Sequence, residues 1–163
     1  MVHSPAHLES RVNPHMNTGV SPLSDLRQVA ALPLMIGDDG VARVLLVTSR
    51  GTRRWVIPKG WPMKGRKPHE AAAQEALEEA GVIGLASKKS IGTYTYFKWR
   101  AANFDVCRVD VYLLMVKRQL TTWREKGQRE ARWFTLDVAS DLVQEPELVA
   151  LLQKVALTER IFE

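Results

Sequence analysis

The sequence predicts an α/β sandwich in which a mixed β-sheet carries helices on both faces. Three observations predict it. Apolar, β-rich runs at 28–36, 41–48, 90–99 and 106–116 alternate with turn signals, a well-punctuated helix with a small-residue stripe stands between the second and third runs, and an amphipathic stretch closes the chain.

A chain of 163 residues is long enough for one domain with a substantial core and too short for two of ordinary size. With 45% hydrophobic and 25% charged residues the composition is that of a globular protein. No stretch approaches the roughly 18 apolar residues of a membrane span, and the first residues lack the basic-then-apolar order of a secretory signal. A cytoplasmic protein without a membrane partner is therefore expected. Cys107 has no second cysteine to pair with and falls in a strand-like run, which suits a buried structural thiol. A formal charge of +5 and a pI near 9.6 point to a polyanionic partner, a class that includes nucleotides, inositol phosphates and RNA.

Residues 1–25 hold His3, His7 and His15 among scattered Pro and Ser, with no apolar period, and read as a flexible tail whose histidines lack zinc-site spacing. The domain is expected over 26–163. Its first two runs form a hairpin signal around Asp39-Gly40, and Pro33 predicts that the first strand lies at an edge or carries a bulge. Arg50, Arg53 and Arg54 then precede the short apolar run Trp55-Val-Ile57. Lys59, Lys64, Arg66 and Lys67 extend this positive zone, and guanidinium forks suit phosphate oxygens.

The helix that follows has Pro68 at its first position, Glu70 near the positive end of its dipole and Gly81 as its left-handed stop. Ala73, Ala76, Leu77 and Ala80 recur at i, i+3, i+4 and i+7, a narrow stripe able to lie close to a sheet, with Glu75, Glu78 and Glu79 expected on the opposite side. Carboxylates at this spacing repel by about 0.2–0.5 kcal/mol per pair on an isolated helix, and a bound cation reverses that sign. Mg2+ takes hard oxygen ligands and shares one or two carboxylates with substrate phosphates, so Mg2+, with Mn2+ as an alternative, suits such a face.

Beyond the helix, 90–99 and 106–116 form a second hairpin turning at 101–104, where Trp99, Arg100 and Phe104 could clamp a planar ring. A polar loop follows, in which Glu125 or Glu130 could add a ligand or base. Asp137 opens a helical region interrupted at Pro146 and resumed through Leu148, Leu151, Leu152 and Val155.

The segment from Gly60 to Val82 resembles the Nudix box: Gly, five residues, Glu, seven residues, Arg-Glu, an aliphatic, any residue, Glu-Glu, any residue, Gly, an aliphatic. Gly60, Glu75, Glu78, Glu79, Gly81 and Val82 match in register, while Arg66 replaces the first Glu, Gln74 the Arg, and Ala76 the aliphatic. Glu130-Ala-Arg-Trp133-Phe also resembles a segment that often closes such domains. The resemblance implies a Nudix-type α/β/α sandwich and hydrolysis of a phosphoanhydride, with Glu75, Glu78 and Glu79 holding the metal and doing the catalysis. Residues 49–60 with the helix are similar to the branch of diphosphoinositol polyphosphate and diadenosine polyphosphate phosphohydrolases, although Lys59-Gly60-Trp61-Pro62 departs from the glycine-rich version of the loop. That implies a highly phosphorylated small-molecule substrate gripped by Arg50, Arg53, Arg54, Lys59, Gly60 and Arg66. RNA 5′-pyrophosphate removal and a non-catalytic ligand-binding domain are the alternatives.

Overall fold

The computed structural model describes residues 25–160. The tail read over residues 1–25, with His3, His7 and His15, lies outside the described residues except for Asp25, which opens the first strand. The strands are β1 (Asp25–Ile36), β2 (Ala42–Thr48), β3 (Trp55–Val56), β4 (Lys59–Gly60), β5 (Val82–Ala86), β6 (Gly92–Trp99), β7 (Phe104–Gln119) and β8 (Ala131–Thr135). The helices are α1 (Pro68–Ala80), α2 (Leu136–Leu142) and α3 (Pro146–Arg160). None of these helices is long and apolar enough to cross a membrane.

All eight strands join one mixed sheet along the path β3-β2-β1-β7-β5, with β4 on β1, β6 on β7 and β8 on β2. The parallel pair is β1 with β7, running from Asp25 opposite Val106 to Leu34 opposite Met115. Strand alternation sorts the core into two layers. Val29, Ala31, Leu45, Val47, Tyr112 and Leu114 pack against α1, whereas Ala30, Leu32, Leu34, Val44, Leu46, Val109 and Val111 pack against α2 and α3. Helices therefore cover both faces, as the sequence predicts.

Local chemistry explains most boundaries. Gly40 takes φ 75° in the β1–β2 turn, where the Asp39 carboxylate accepts from Val41 N–H and is forked by Arg43. Pro146 begins α3 and so separates it from α2. Glu70 reaches back to accept from Lys67 N–H at 3.1 Å, a reciprocal cap in the absence of Ser, Thr, Asp or Asn. Gly81 stops α1 at φ 68° and donates to Leu77 O.

Two expectations change. β1 is central rather than an edge. Pro33 is tolerated there because its missing N–H falls in the interval where the neighbour on one side changes from β4, opposite Val29 and Ala30, to β2, which begins opposite Leu34. The stripe of α1 is also rotated: Ala72, Ala76 and Ala80 are buried together with Glu79, whereas Leu77 stays half-buried. Glu79 is therefore on the sheet side of the helix, not opposite it. β5 escapes the sequence reading because Gly84, the site of a register shift against β7, breaks its short pattern.

Candidate active site

One end of the sheet collects the site. β4 delivers Lys59 and Gly60, α1 delivers Glu75 and Glu79, β1 delivers Gln28, and β6 delivers Lys98. The 120–130 loop adds Glu125 and Arg129, and Arg50 comes from the turn after β2. Together these residues line an open cleft of about 430 Å3, with Trp61, Pro62 and Met63 along one wall. The loop is pinned where it matters: Leu120 N–H donates to Gly81 O, Glu125 N–H to Glu78 O, and Glu130 N–H to Thr48 Oγ1. Trp123 packs so closely over Gly81 that a Cβ there would overlap its ring.

Glu79 is 5% exposed, accepts from Lys59 N–H at 3.3 Å and faces the Arg129 guanidinium at 3.5 Å. Burial pushes its carboxyl up to about 7, while the Arg129 and Lys59 charges pull the other way. Glu75 is also pushed up to about 7, first by burial and then by the Glu78 and Glu125 charges. Among the described residues no hydrogen bond or ion pair holds its carboxylate. Arg129 is 11% exposed and ties the cluster together, donating to Glu125 at 3.2 Å and to Thr48 O at 3.1 Å besides facing Glu79. Lys59 stands over the Tyr96 ring at 5.0 Å, and burial lowers its pKa.

Three hard carboxylates in a half-buried cleft, two of them lifted towards neutrality, form a donor set suited to a divalent cation. Glu75, Glu79 and Glu125 line the same cleft and are the carboxylates that could serve as such donors. Among the described residues no three His, Cys, Asp or Glu side chains are gathered closely enough to enclose a metal ion unaided.

The structure redistributes the residues read from sequence. Arg50, Lys59 and Gly60 line the cleft with Glu75 and Glu79. Glu78 shares their helix turn but not the lining; Gln74 and Arg124 hold its carboxylate at 3.1 and 3.2 Å. Arg54 is turned away because Glu145, 7% exposed, binds it at 2.8 Å. Arg53, at φ 57°, lines a separate groove with Thr48, Trp55 and Glu130. Arg66 donates to Gln74 rather than facing the cleft. Glu130 is exposed and paired with Arg132 at 2.8 Å, so Glu125 is the loop carboxylate that enters the site. Arg129, Gln28 and Lys98 were not legible as site residues, since nothing local distinguishes them.

Gly60 has a steric role. A Cβ there would lie 2.2 Å from Glu75 Oε1. The obstructed atom is the end of a flexible side chain, so Gly60→Ala should displace Glu75 and leave the backbone in place. Turnover is expected to fall on the order of 10²-fold, as for a misplacement of about 1 Å, with little change in Tm. A variant that unfolds, or one with wild-type turnover, contradicts this role.

The family model described as NUDIX domain matches residues 26–155. The chain belongs to the Nudix family. It is 34% identical over 110 residues to "Nudix hydrolase 16, mitochondrial" of Arabidopsis thaliana, covering 65% of this chain and 61% of that protein. It is 33% identical over 119 residues to diphosphoinositol polyphosphate phosphohydrolase 3-beta of Bos taurus, covering 70% of this chain and 69% of that one. The match spans 52% and 51% of the length of two further Arabidopsis Nudix hydrolases, numbered 13 and 12. Among solved structures, the C. elegans Ap4A hydrolase binary complex superposes with TM-score 0.61 at 19% identity, over 82% of this chain and 96% of that chain. The NUDIX domain of Shewanella oneidensis NrtR, complexed with ADP ribose, gives 0.55 at 14% identity, over 82% and 89%. These likenesses show that the Nudix chain has the Nudix fold.

Proposed function

We propose that this Nudix protein hydrolyses a phosphoanhydride bond in a highly phosphorylated small molecule, of the diadenosine polyphosphate or diphosphoinositol polyphosphate kind, with Mg2+ or Mn2+. The observation that carries the reading is the pairing of Glu75 and Glu79, both lifted to about 7, in one cleft with Arg50 and Lys59. Glu75, Glu79 and Glu125 would hold the metal, with Glu78 beside them on the helix. When bound, the ion supplies charge neutralisation at phosphate oxygens and a more acidic attacking water.

The protein's own groups do the rest. Arg50 and Lys59 orient phosphate oxygens by charge-assisted hydrogen bonds. Arg129 fixes the Glu79 and Glu125 carboxylates from behind. One of the cleft carboxylates would take the proton of the attacking water.

Incubation with Mg2+ and a panel of diadenosine polyphosphates, diphosphoinositol polyphosphates, nucleotide sugars and triphosphorylated RNA tests the reading by the phosphates released. Arg50→Ala should raise KM for the best substrate by roughly 10-fold or more, the worth of one charge-assisted contact. Arg54→Ala should leave KM unchanged, because its guanidinium is engaged with Glu145 and Gln144. Reversal of that order would place the phosphates on the other side of the turn, and no metal-dependent cleavage of any panel member would overturn the hydrolase reading.

One observation favours RNA 5′-pyrophosphate removal as a second reading. Phe97, Trp99 and Phe104 are exposed and stacked edge to face at the β6–β7 tip, beside Lys98, which also lines the cleft. Exposed rings flanked by cations suit unpaired bases. A steep loss of RNA affinity with added salt would support it.

A further inference from the structure

The two residues that break the box pattern meet in space. Arg66 Nη1 donates to Gln74 Oε1 at 3.0 Å, and Gln74 Nε2 donates to Glu78 Oε1 at 3.1 Å. An amide has an accepting end and a donating end, so whichever group captures one end sets what the other presents. A guanidinium can only donate. By holding the Gln74 oxygen it reinforces the orientation that the acceptor-only Glu78 carboxylate also selects, with the NH2 facing Glu78; with no guanidinium there, the amide loses one of the two contacts that fix it. The second donor on Glu78 Oε1 is Arg124, whose side chain is 74% exposed, so solvent screens that contact.

We propose that Arg66 is a positioning residue rather than a phosphate ligand: through the Gln74 amide it fixes the Glu78 carboxylate, and its hydrogen bond to Gln74 joins the two positions at which the box pattern has an acid and an arginine. The inference rests on the proposed cation site, whose lining Glu78 does not join: its charge acts on Glu75 one helical turn away, so its placement bears on the cation from outside the ligand set. It explains why both departures occur together. An arginine at 74 would repel Arg66, and an acid at 66 would capture the Gln74 NH2 and turn the amide oxygen towards Glu78.

The test measures Mn2+ affinity of the purified protein by calorimetry and, separately, kcat and KM at saturating metal. Gln74→Met, which keeps the shape without donor or acceptor, should weaken Mn2+ binding and lower kcat by roughly 10-fold, within the range for outer-sphere partners, with KM unchanged. Arg66→Met should act in the same direction, and Arg66→Glu more severely because it inverts the amide. Arg66→Glu combined with Gln74→Arg should restore both quantities to within about twofold, a non-additivity that independent sites do not show. Arg66 and Gln74 meet at the surface, so thermal unfolding should show all four variants folded.

A rise in KM for Arg66→Met, with kcat and Mn2+ affinity unaltered, would make Arg66 a phosphate ligand and overturn the relay. An unrescued double variant that is folded overturns it as well. If Mn2+ affinity follows the series while no substrate is cleaved, the relay stands and the hydrolase reading fails. Cleavage with a flat series has the opposite meaning, and a wild-type protein that binds no Mn2+ overturns both.

Discussion

Glu79→Gln should abolish metal-dependent turnover while leaving the metal-free protein at least as stable as the wild type at pH 8. The loss should exceed the roughly 10- to 100-fold typical of an outer-sphere partner, because the proposed function makes Glu79 a metal ligand. The stability half follows from linkage. Burial raises the Glu79 carboxyl to about 7 from an ordinary 4.5, so the folded state holds a proton that the unfolded state has released. Stability from that group is fully present below about pH 4.5 and is lost as pH rises through 7. A neutral amide of the same shape escapes that loss, and Arg129 still has Glu125 and Thr48 O as partners. Mg2+ should correspondingly raise the wild-type Tm more at pH 8 than at pH 6, and raise that of the variant little at either. A variant with wild-type turnover removes Glu79 from the site. One with lower Tm at pH 8 makes its charge a structural asset.

What was legible in the sequence was local. The hairpin at Asp39-Gly40, the start of α1 at Pro68, its stop at Gly81 and the break at Pro146 each depend on the dihedral demands of a few neighbouring residues, so they survive folding unchanged. The mixed sheet with helices on both faces follows from their order. The site was legible only as far as it lies on one segment. Glu75 and Glu79 enter the cleft with Gly60, but Glu78 is drawn aside by Arg124 from a distant loop, and the helix face on which Glu79 lies depends on where the sheet ends up. Arg54 looks like its neighbour Arg50 in the sequence. Gln144 and Glu145, separated from it by 90 and 91 positions, remove it from the site. Net charge reports how many cations there are and says nothing about which ones carboxylates have already claimed.

Arg129 is the clearest case of that limit and carries the largest expected effect on the fold. Its guanidinium, 11% exposed, meets two carboxylates and a backbone carbonyl, and no local pattern marks it. Arg129→Met removes the cation and keeps much of the packing, leaving Glu79 and Glu125 facing each other. Breaking a buried pair in this way costs about 3–5 kcal/mol, on the order of 10 °C in Tm for a chain of this length. Here the cost should depend on pH. Arg129 is the foremost influence holding the Glu79 carboxyl down, so its removal raises a group already near 7 still further. At pH 6 Glu79 can take a proton and shed most of the penalty; at pH 8 it must either stay charged against Glu125 or bind a proton that is scarce. The Tm difference between wild type and Arg129→Met should therefore widen from pH 6 to pH 8 and narrow again when Mg2+ is added at pH 8, since a cation between Glu79 and Glu125 would replace the lost charge. A deficit independent of both pH and Mg2+ would assign Arg129 to packing and to the Thr48 carbonyl alone.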